Sequence, residues 1–142
     1  KNNSLPKETM SKIVQLYVIR RKLEGTPFRL RKMAHSAVLV GTANNVYYII
    51  ELVKQKEKSN VVVAIPTSFY VISTDYNNPH QVINMNGEVW TKQLYGKHVY
   101  KDVTVEEARQ YLQNEMNQYP YDLLEWNCHV AQETLRKWLG VL

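Results

Sequence analysis

The stretch TVEEARQYLQNEMNQY, residues 104–119, decides the fold class, because the spacing of apolar residues changes there from that of strands to that of a helix. Thr104 followed by Glu107 is a capping-box pattern, and we expect Pro120 to end the helix. The apolar positions repeat as in an amphipathic helix that packs on one face, at Val105, Ala108, Leu112 and Met116.

A second helix is predicted from about Cys128 to Leu139. Asn127 is its expected N-cap, and Gly140 stands where helices commonly turn into left-handed geometry. Both predicted helices therefore lie in the last third of the chain. The residues expected on the buried face of this second helix are Val130, Leu135, Trp138 and Leu139.

The chain before Thr104 has the composition of strands. Residues 12–21 fit a helix by spacing, but their β-branched and aromatic content favours a strand. Residues 43–45 read as the turn of a hairpin, and the Asn-rich residues 76–87 read as a loop. Strands followed by helices predict an α+β fold, an antiparallel sheet packed with two C-terminal helices. The further predicted strands are residues 33–42, 46–53, 60–66, 68–74 and one within 89–99.

Length and composition predict a single domain over residues 1–142, with residues 1–11 as a flexible N-terminal segment. One cysteine excludes an internal disulfide. There is no secretory signal pattern and no apolar run of roughly 18 residues, so we expect a soluble, cytoplasmic protein without a transmembrane segment. Because the chain begins at Lys1, we expect either an expression boundary or a piece released from a longer precursor.

The net charge of +5 is concentrated in residues 20–32, which hold six basic residues against one acidic residue, Glu24. Such a segment predicts contact with an anionic partner such as RNA, phospholipid headgroups or an acidic protein. The alternative is a solvated loop, since Gly25, Thr26 and Pro27 indicate a turn. The basic residues are Arg20, Arg21, Lys22, Arg29, Arg31 and Lys32.

Cys128 stands in the predicted first turn of a helix, where the dipole and unbonded amides lower a thiol pKa. A thiolate nucleophile also needs a base, and His35, within an apolar strand, is the best candidate. His80 falls in the predicted loop, His98 in a polar stretch, and His129 points about 100° away from Cys128 on a helix. The alternative is inert packing for the cysteine and a structural role for the histidine.

The motifs HSAVLVGT from His35, the strand ending IIEL, the helix VEEARQYL and the segment YDLLEWNC before the last helix together resemble the H-box/NC family. That family includes lecithin:retinol acyltransferase, related small phospholipase/acyltransferases and the 2A proteins of some picornaviruses. The resemblance covers residues 33–140 and implies a circularly permuted papain-like (NlpC/LRAT-like) architecture. It also implies that His35 is the general base, that Cys128 is the nucleophile carrying an acyl group, and that Asn127 caps the helix.

The same resemblance leaves two candidates for the third member of the site. The cellular enzymes usually have a second histidine in the strand after the first, and here Glu51 occupies the matching place, with Tyr47 as the alternative. Asn127 marks the expected oxyanion region at the helix start. Trp126 adjoins it and is either a wall of a pocket over the thiol or ordinary packing.

The function implied by the resemblance depends on which branch the chain joins. His129 and Val130 follow the cysteine where the cellular enzymes tend to have Glu-His-Phe, and no apolar tail precedes the end at Leu142. We therefore expect a picornavirus 2A-like non-structural protein in the host cytoplasm, binding RNA or a host protein through residues 20–32. The alternatives are a thiol acyltransferase or phospholipase on acyl lipids, and a cysteine protease or amidase. Neither paired metal-ligand spacing nor a Gly-rich phosphate loop is present, so no cofactor is expected.

Overall fold

The computed structural model describes residues 11–21, 34–54, 60–123 and 125–142. Within them, eight strands precede two helices, which confirms the predicted α+β fold. The N-terminal residues 1–10, part of the expected flexible segment, lie outside the described residues. The strands are β1 (Ile13–Arg21), β2 (His35–Thr42), β3 (Tyr47–Lys54), β4 (Asn60–Thr67), β5 (Phe69–Asp75), β6 (His80–Met85), β7 (Glu88–Gln93) and β8 (Lys97–His98), and the helices are α1 (Val105–Met116) and α2 (Cys128–Leu139).

The strands form one antiparallel sheet in the order β4-β3-β2-β1-β7-β6-β5, and the short β8 also pairs with β1. The predicted hairpin of β2 and β3 is confirmed, with Val38 opposite Ile50. Its turn is held by the Thr42 hydroxyl, which accepts a hydrogen bond from the Val46 N–H at 3.2 Å. Pairing of β1 with β7 joins this hairpin to the strands that follow.

Alternate residues of the central strands enter two separate hydrophobic cores, as the pleat of a sheet requires. In β2, Val38 and Val40 face the core beneath α1 and α2, whereas Ala37 and Leu39 face the second core. We call the side of the second core the inner face. The sheet curls toward that face, since the Tyr47 ring of β3 meets the Phe69 ring of β5 edge-on, with centroids 5.2 Å apart.

Helix α1 begins where the sequence predicts and ends earlier. The Thr104 hydroxyl accepts from the Glu107 N–H at 3.2 Å, and the Glu107 carboxylate accepts from the Thr104 N–H at 2.9 Å, which confirms the capping box. The helix ends at Met116, so the prediction that Pro120 ends it was wrong. The Met116 carbonyl accepts hydrogen bonds from Asn60 Nδ2 and Trp126 Nε1, at 2.9 and 3.0 Å, which fix the helix end before the proline.

Helix α2 has the predicted bounds, and Gly140 adopts a φ of 76° at its C-cap. Its buried face was only partly predicted: Leu135 and Leu139 are buried, but Val130 and Trp138 are half-buried. The Trp138 ring instead stacks on Tyr111 of α1, with centroids 4.2 Å apart. The residues that α2 buries are Cys128, Ala131, Gln132, Leu135 and Leu139.

The loop predicted over residues 76–87 was wrong, because β6 lies within it and His80 is its first residue. Asn86 and Gly87, with φ of 55° and 83°, form a two-residue turn to β7. Positive φ at both positions is the geometry of a type I′ hairpin turn, for which Asn-Gly is a preferred pair. The asparagines therefore belong mainly to the turns at the two ends of β6, whereas Ile83 and Met85 are buried in the second core.

Candidate active site

His35 and Glu51 lie on neighbouring strands and on the same face of the sheet. Because Val38 pairs with Ile50, Glu51 stands diagonally across from His35, within reach of long side chains. The His35 Nε2 and Glu51 Oε1 atoms are 2.6 Å apart, a short, charge-assisted distance. Both side chains are mostly shielded, with exposed fractions of 13% and 15%. Glu51, and not the alternative Tyr47, is thus the group that contacts His35.

Cys128 comes to His35 from the other side, at the start of α2. Its Sγ lies 3.9 Å from the Ala34 carbonyl oxygen, at the residue before β2. The His35 side chain and the Ser36 backbone N–H lie close enough to the thiol to lower its pKa. Because Glu51 binds Nε2, Nδ1 is the ring nitrogen that remains for the thiol. The three predicted residues therefore form one chain of contacts, from Glu51 through His35 to Cys128.

The electrostatics of this chain favour an ion pair between the thiolate and the imidazolium. Burial lowers the pKa of His35, but hydrogen bonds to Cys128 and Glu51 and the charges of both outweigh burial and raise that pKa to about 9. Burial raises the pKa of Cys128, but bonds from His35 and the Ser36 N–H, with the charge on His35, bring it below its ordinary value. The two shifts favour the charged form of each partner.

Asn127 is the N-cap of α2, as predicted. Its Oδ1 accepts hydrogen bonds from the N–H groups of His129 and Val130, at 3.0 and 3.2 Å. Its Nδ2 donates to the Leu123 carbonyl at 2.7 Å. Since the cap engages those two amides, the Cys128 N–H is the helix-start amide beside the thiol for an oxyanion to use. The oxyanion role predicted for this region stays a prediction.

Trp126 is tied to the end of α1. Its Nε1 donates to the Met116 carbonyl, and the Tyr119 ring meets its indole edge-on, with centroids 4.9 Å apart. These contacts hold the segment that leads into Asn127. The pocket wall expected from Trp126 stays a prediction. Tyr121 lies close enough to Cys128 for the thiolate charge to raise its pKa, after burial, which is the larger cause.

The remaining histidines occupy other places. His80 begins β6 and its Nδ1 hydrogen-bonds the Asn78 carbonyl. His98 lies in β8, with its ring 4.3 Å from that of Tyr100. His129 follows Cys128 in α2. The base chosen from the sequence, His35, is the histidine that lies against the thiol.

The basic segment predicted from residues 20–32 is described only at its start. Arg20 is exposed on β1, and Arg21 forms an ion pair with Glu88 at 3.4 Å. The other predicted members lie outside the described residues and are Lys22, Arg29, Arg31 and Lys32.

Two residues beside His35 were missed by sequence reasoning. Trp90 lies edge-on to His35, with ring centroids 5.8 Å apart. Ser36 is buried, and its Oγ has no hydrogen-bond partner among the described residues. Nothing in the local sequence marks either residue, because cross-strand register places Trp90 and the docking of α2 places Ser36.

Among the described residues, no three His, Cys, Asp or Glu side chains are grouped so that they could hold a metal ion. Neither helix in the described part of the chain is long and apolar enough to cross a membrane. No match to the chain was found among protein-family models, curated proteins or solved structures.

Proposed function

We propose that the protein is an acyl-transfer enzyme in which the Cys128 thiolate attacks an ester, thioester or amide carbonyl and carries the acyl group as a thioester. The observation that carries this proposal is the chain of contacts Glu51–His35–Cys128, with the thiol at a helix start. A nucleophile, a base and a group that orients the base are the minimum set for covalent acyl transfer.

Each group has a defined part in the proposed reaction. The thiolate forms the C–S bond, and the Cys128 N–H donates to the oxyanion that develops on the carbonyl oxygen. The His35 imidazolium then gives its proton to the leaving oxygen or nitrogen, whose bond to carbon breaks. In the second half, an acceptor hydroxyl, amine or water loses a proton to His35 and attacks the thioester carbonyl, and the C–S bond breaks to return the Cys128 thiolate. Glu51 holds the ring in place throughout and stabilises its positive charge whenever the ring is protonated.

The acceptor decides whether the enzyme is a transferase or a hydrolase. The H-box/NC family and its circularly permuted papain-like architecture belong to this proposal as its family assignment. They agree with the histidine on one strand, the carboxylate on the next and the cysteine at the start of the last helix. A cysteine protease or amidase would use the same three groups on a peptide bond.

A binding function for residues 20–32 is a second proposal, in the character of a picornavirus 2A-like protein that contacts RNA or a host protein. It is supported by the exposed position of Arg20. The test is the salt dependence of RNA affinity in wild type and in Arg29→Ala/Arg31→Ala. We expect the affinity to fall with added salt and to be lower in the variant, because phosphate contacts release counterions. Affinity that does not change with salt contradicts it.

The acyl-enzyme is the intermediate that tests the enzymatic proposal. Wild type is mixed with p-nitrophenyl esters of several acyl lengths and followed by intact mass and p-nitrophenol release. We expect a thioester adduct on Cys128 that is absent in Cys128→Ala and forms about 100-fold more slowly in His35→Ala. An adduct formed equally fast without His35, or no adduct with any ester, contradicts the proposal.

A further inference from the structure

We propose that Trp90 is a positioning residue for His35, holding the imidazole so that it contacts Glu51 and Cys128 at the same time. This inference rests on the proposed function, since it concerns the base of the same site. It assigns a role to a residue on β7, a strand that contributes none of the three reacting groups.

The sheet register brings Trp90 to the site. His35 of β2 pairs with Arg21 of β1, and Arg20 of β1 pairs with Thr91 of β7, so Trp90 comes next to Arg21 in the same cross-strand row. Neighbouring strands are about 4.8 Å apart, so two of these steps separate the backbones of His35 and Trp90. The indole spans this distance over the inner face and meets the imidazole at 62° with centroids 5.8 Å apart.

Arg21, on the strand between His35 and Trp90, also contacts the indole. Its guanidinium carbon lies 5.3 Å from the Trp90 ring centroid, a cation–π distance. The Arg21 Nε is also 3.4 Å from Glu88 Oε2, two residues before Trp90 on β7. Trp90 thus contacts both the Arg21 guanidinium and the His35 imidazole, and only 2% of its surface is exposed.

The imidazole needs such a support because Glu51 fixes one ring nitrogen only. With Nε2 bound at 2.6 Å, the ring can still tilt about that contact and move Nδ1 away from Sγ. The indole lies on the inner face and blocks a tilt in that direction. It also covers part of the imidazole, whose side chain is 13% exposed, and such shielding from water strengthens attraction between charges.

The identity of the residue agrees with this role. Trp90 Nε1 has no hydrogen-bond partner among the described residues, so the indole buries an unsatisfied donor. Such an unsatisfied donor costs stability. A phenyl ring would avoid that cost but is shorter, so we infer that the reach of the indole toward His35 is what the position requires.

The test is the pH profile of Cys128 alkylation by iodoacetamide in Trp90→Leu, with Trp138→Leu as matched control. Trp138 also meets an aromatic ring and a cation, Tyr111 at 4.2 Å and Lys101 at 3.8 Å, but belongs to the other core. We expect Trp90→Leu to raise the apparent thiol pKa by about one unit and to slow labelling at pH 7 roughly tenfold. Trp90→Phe should fall between Trp90→Leu and wild type, and the control should keep the wild-type profile.

Two outcomes separate this inference from the proposed function. If wild type labels with a low thiol pKa that His35→Ala abolishes, but a folded Trp90→Leu keeps the wild-type profile, the positioning role is overturned and the enzyme proposal stands. If wild type already labels as an ordinary thiol, the proposed function is contradicted, and the positioning role of Trp90, which rests on it, is overturned with it. Should Trp90→Leu not fold, Trp90→Phe against Trp138→Phe decides, and equal profiles in those two overturn the inference.

Discussion

At the scale of single residues, two opposing effects act on the pKa of the Cys128 thiol. It is largely buried, as an inert packing cysteine would be, and burial alone raises its pKa. The contact with His35 instead lowers the thiol pKa. His35 has this effect because Glu51 stabilises the charged form of its ring. The role of the cysteine therefore depends on a carboxylate that it does not touch in the chain of contacts.

Glu51→Gln tests that dependence. The amide keeps the size of the side chain but removes the charge, so the pKa of His35 should fall and that of Cys128 should rise. We expect labelling of Cys128 at pH 7 to slow by about tenfold or more. The matched control is Glu106→Gln, another shielded glutamate in an ion pair, 2.8 Å from Arg109 on α1. Equal labelling of wild type and Glu51→Gln contradicts the assignment of Glu51.

The raised pKa of His35 makes both activity and stability depend on pH. The pKa of His35 is raised in the folded protein, so its contribution to stability is present below its ordinary value of 6.5 and is lost as pH rises through about 9. As pH rises through about 9, His35 also loses the proton that it donates to the leaving group. We expect turnover of an activated ester to fall above pH 9, and urea midpoints of wild type to fall there more than those of His35→Ala. A flat upper limb in both measurements contradicts the raised pKa.

Sequence reasoning found part of this site and missed part. His35 and Cys128 could be singled out because each carries a distinctive residue type in a local context, an apolar strand and a helix start. Glu51 and Tyr47 remained alternatives, because the register between two strands cannot be predicted from the sequence of either strand alone. The position of Trp90 could not be predicted from the sequence, because it depends on two strand pairings, β1 with β2 and β1 with β7.

At the scale of elements, the N-cap of α2 both starts the helix and shapes the site. Asn127 bonds two amides of the first turn and the Leu123 carbonyl, so it fixes the direction in which Cys128 leaves the backbone. Thr104 gives α1 an equivalent cap away from the thiol. The two caps therefore form a matched pair for mutation.

Asn127→Ala and Thr104→Ala should each lower the free energy of unfolding by about 1 kcal/mol, the usual value of a cap. Asn127→Ala should in addition raise the apparent pKa of Cys128, because a frayed first turn weakens the dipole and moves the thiol. Urea unfolding and the alkylation profile of both variants measure this. If the two variants change the thiol profile equally, the cap of α2 has no special part in the site.

Local signals also explain which elements were predicted. Both helices carry their caps in sequence, so their starts were correct to the residue. Strand β6 was missed because asparagines outweighed the alternation of His80, Gln81, Val82, Ile83, Asn84 and Met85. The Asn86–Gly87 pair was the available signal for a hairpin, and it was read only as part of a loop.

At the scale of the whole molecule, one curled sheet separates two cores of different character. The core under the helices is largely aliphatic, whereas the second core contains a buried cation. Lys92 is 4% exposed, with its Nζ 4.0 Å from the Tyr17 ring centroid and 2.8 Å from the Gln93 carbonyl oxygen. Burial lowers the pKa of this lysine. The curl could not be predicted, because it depends on pairings between distant strands.

Lys92→Met should stabilise the fold, because it removes a desolvated charge and keeps an unbranched side chain of similar length. We expect a gain of about 1–2 kcal/mol in urea unfolding at pH 7. Between the lowered pKa of Lys92 in the folded protein and its ordinary value of 10.5, Lys92 is protonated in the unfolded chain but neutral in the folded one. The stability of wild type therefore rises with pH over this range. The variant should lose this rise. Destabilisation by Lys92→Met would instead mean that the cation–π contact outweighs desolvation.

The measurement that tests the central claim most directly is the pH dependence of Cys128 alkylation by iodoacetamide in wild type and His35→Ala. Circular dichroism verifies that both are folded. Because burial slows access of the reagent, the midpoint of the profile is compared rather than the rate. We predict a wild-type midpoint well below the value of about 8.5 for an ordinary thiol, moved to or above that value in His35→Ala. A wild-type midpoint near or above 8.5 that does not change without His35 would contradict the account and leave Cys128 as a packing residue.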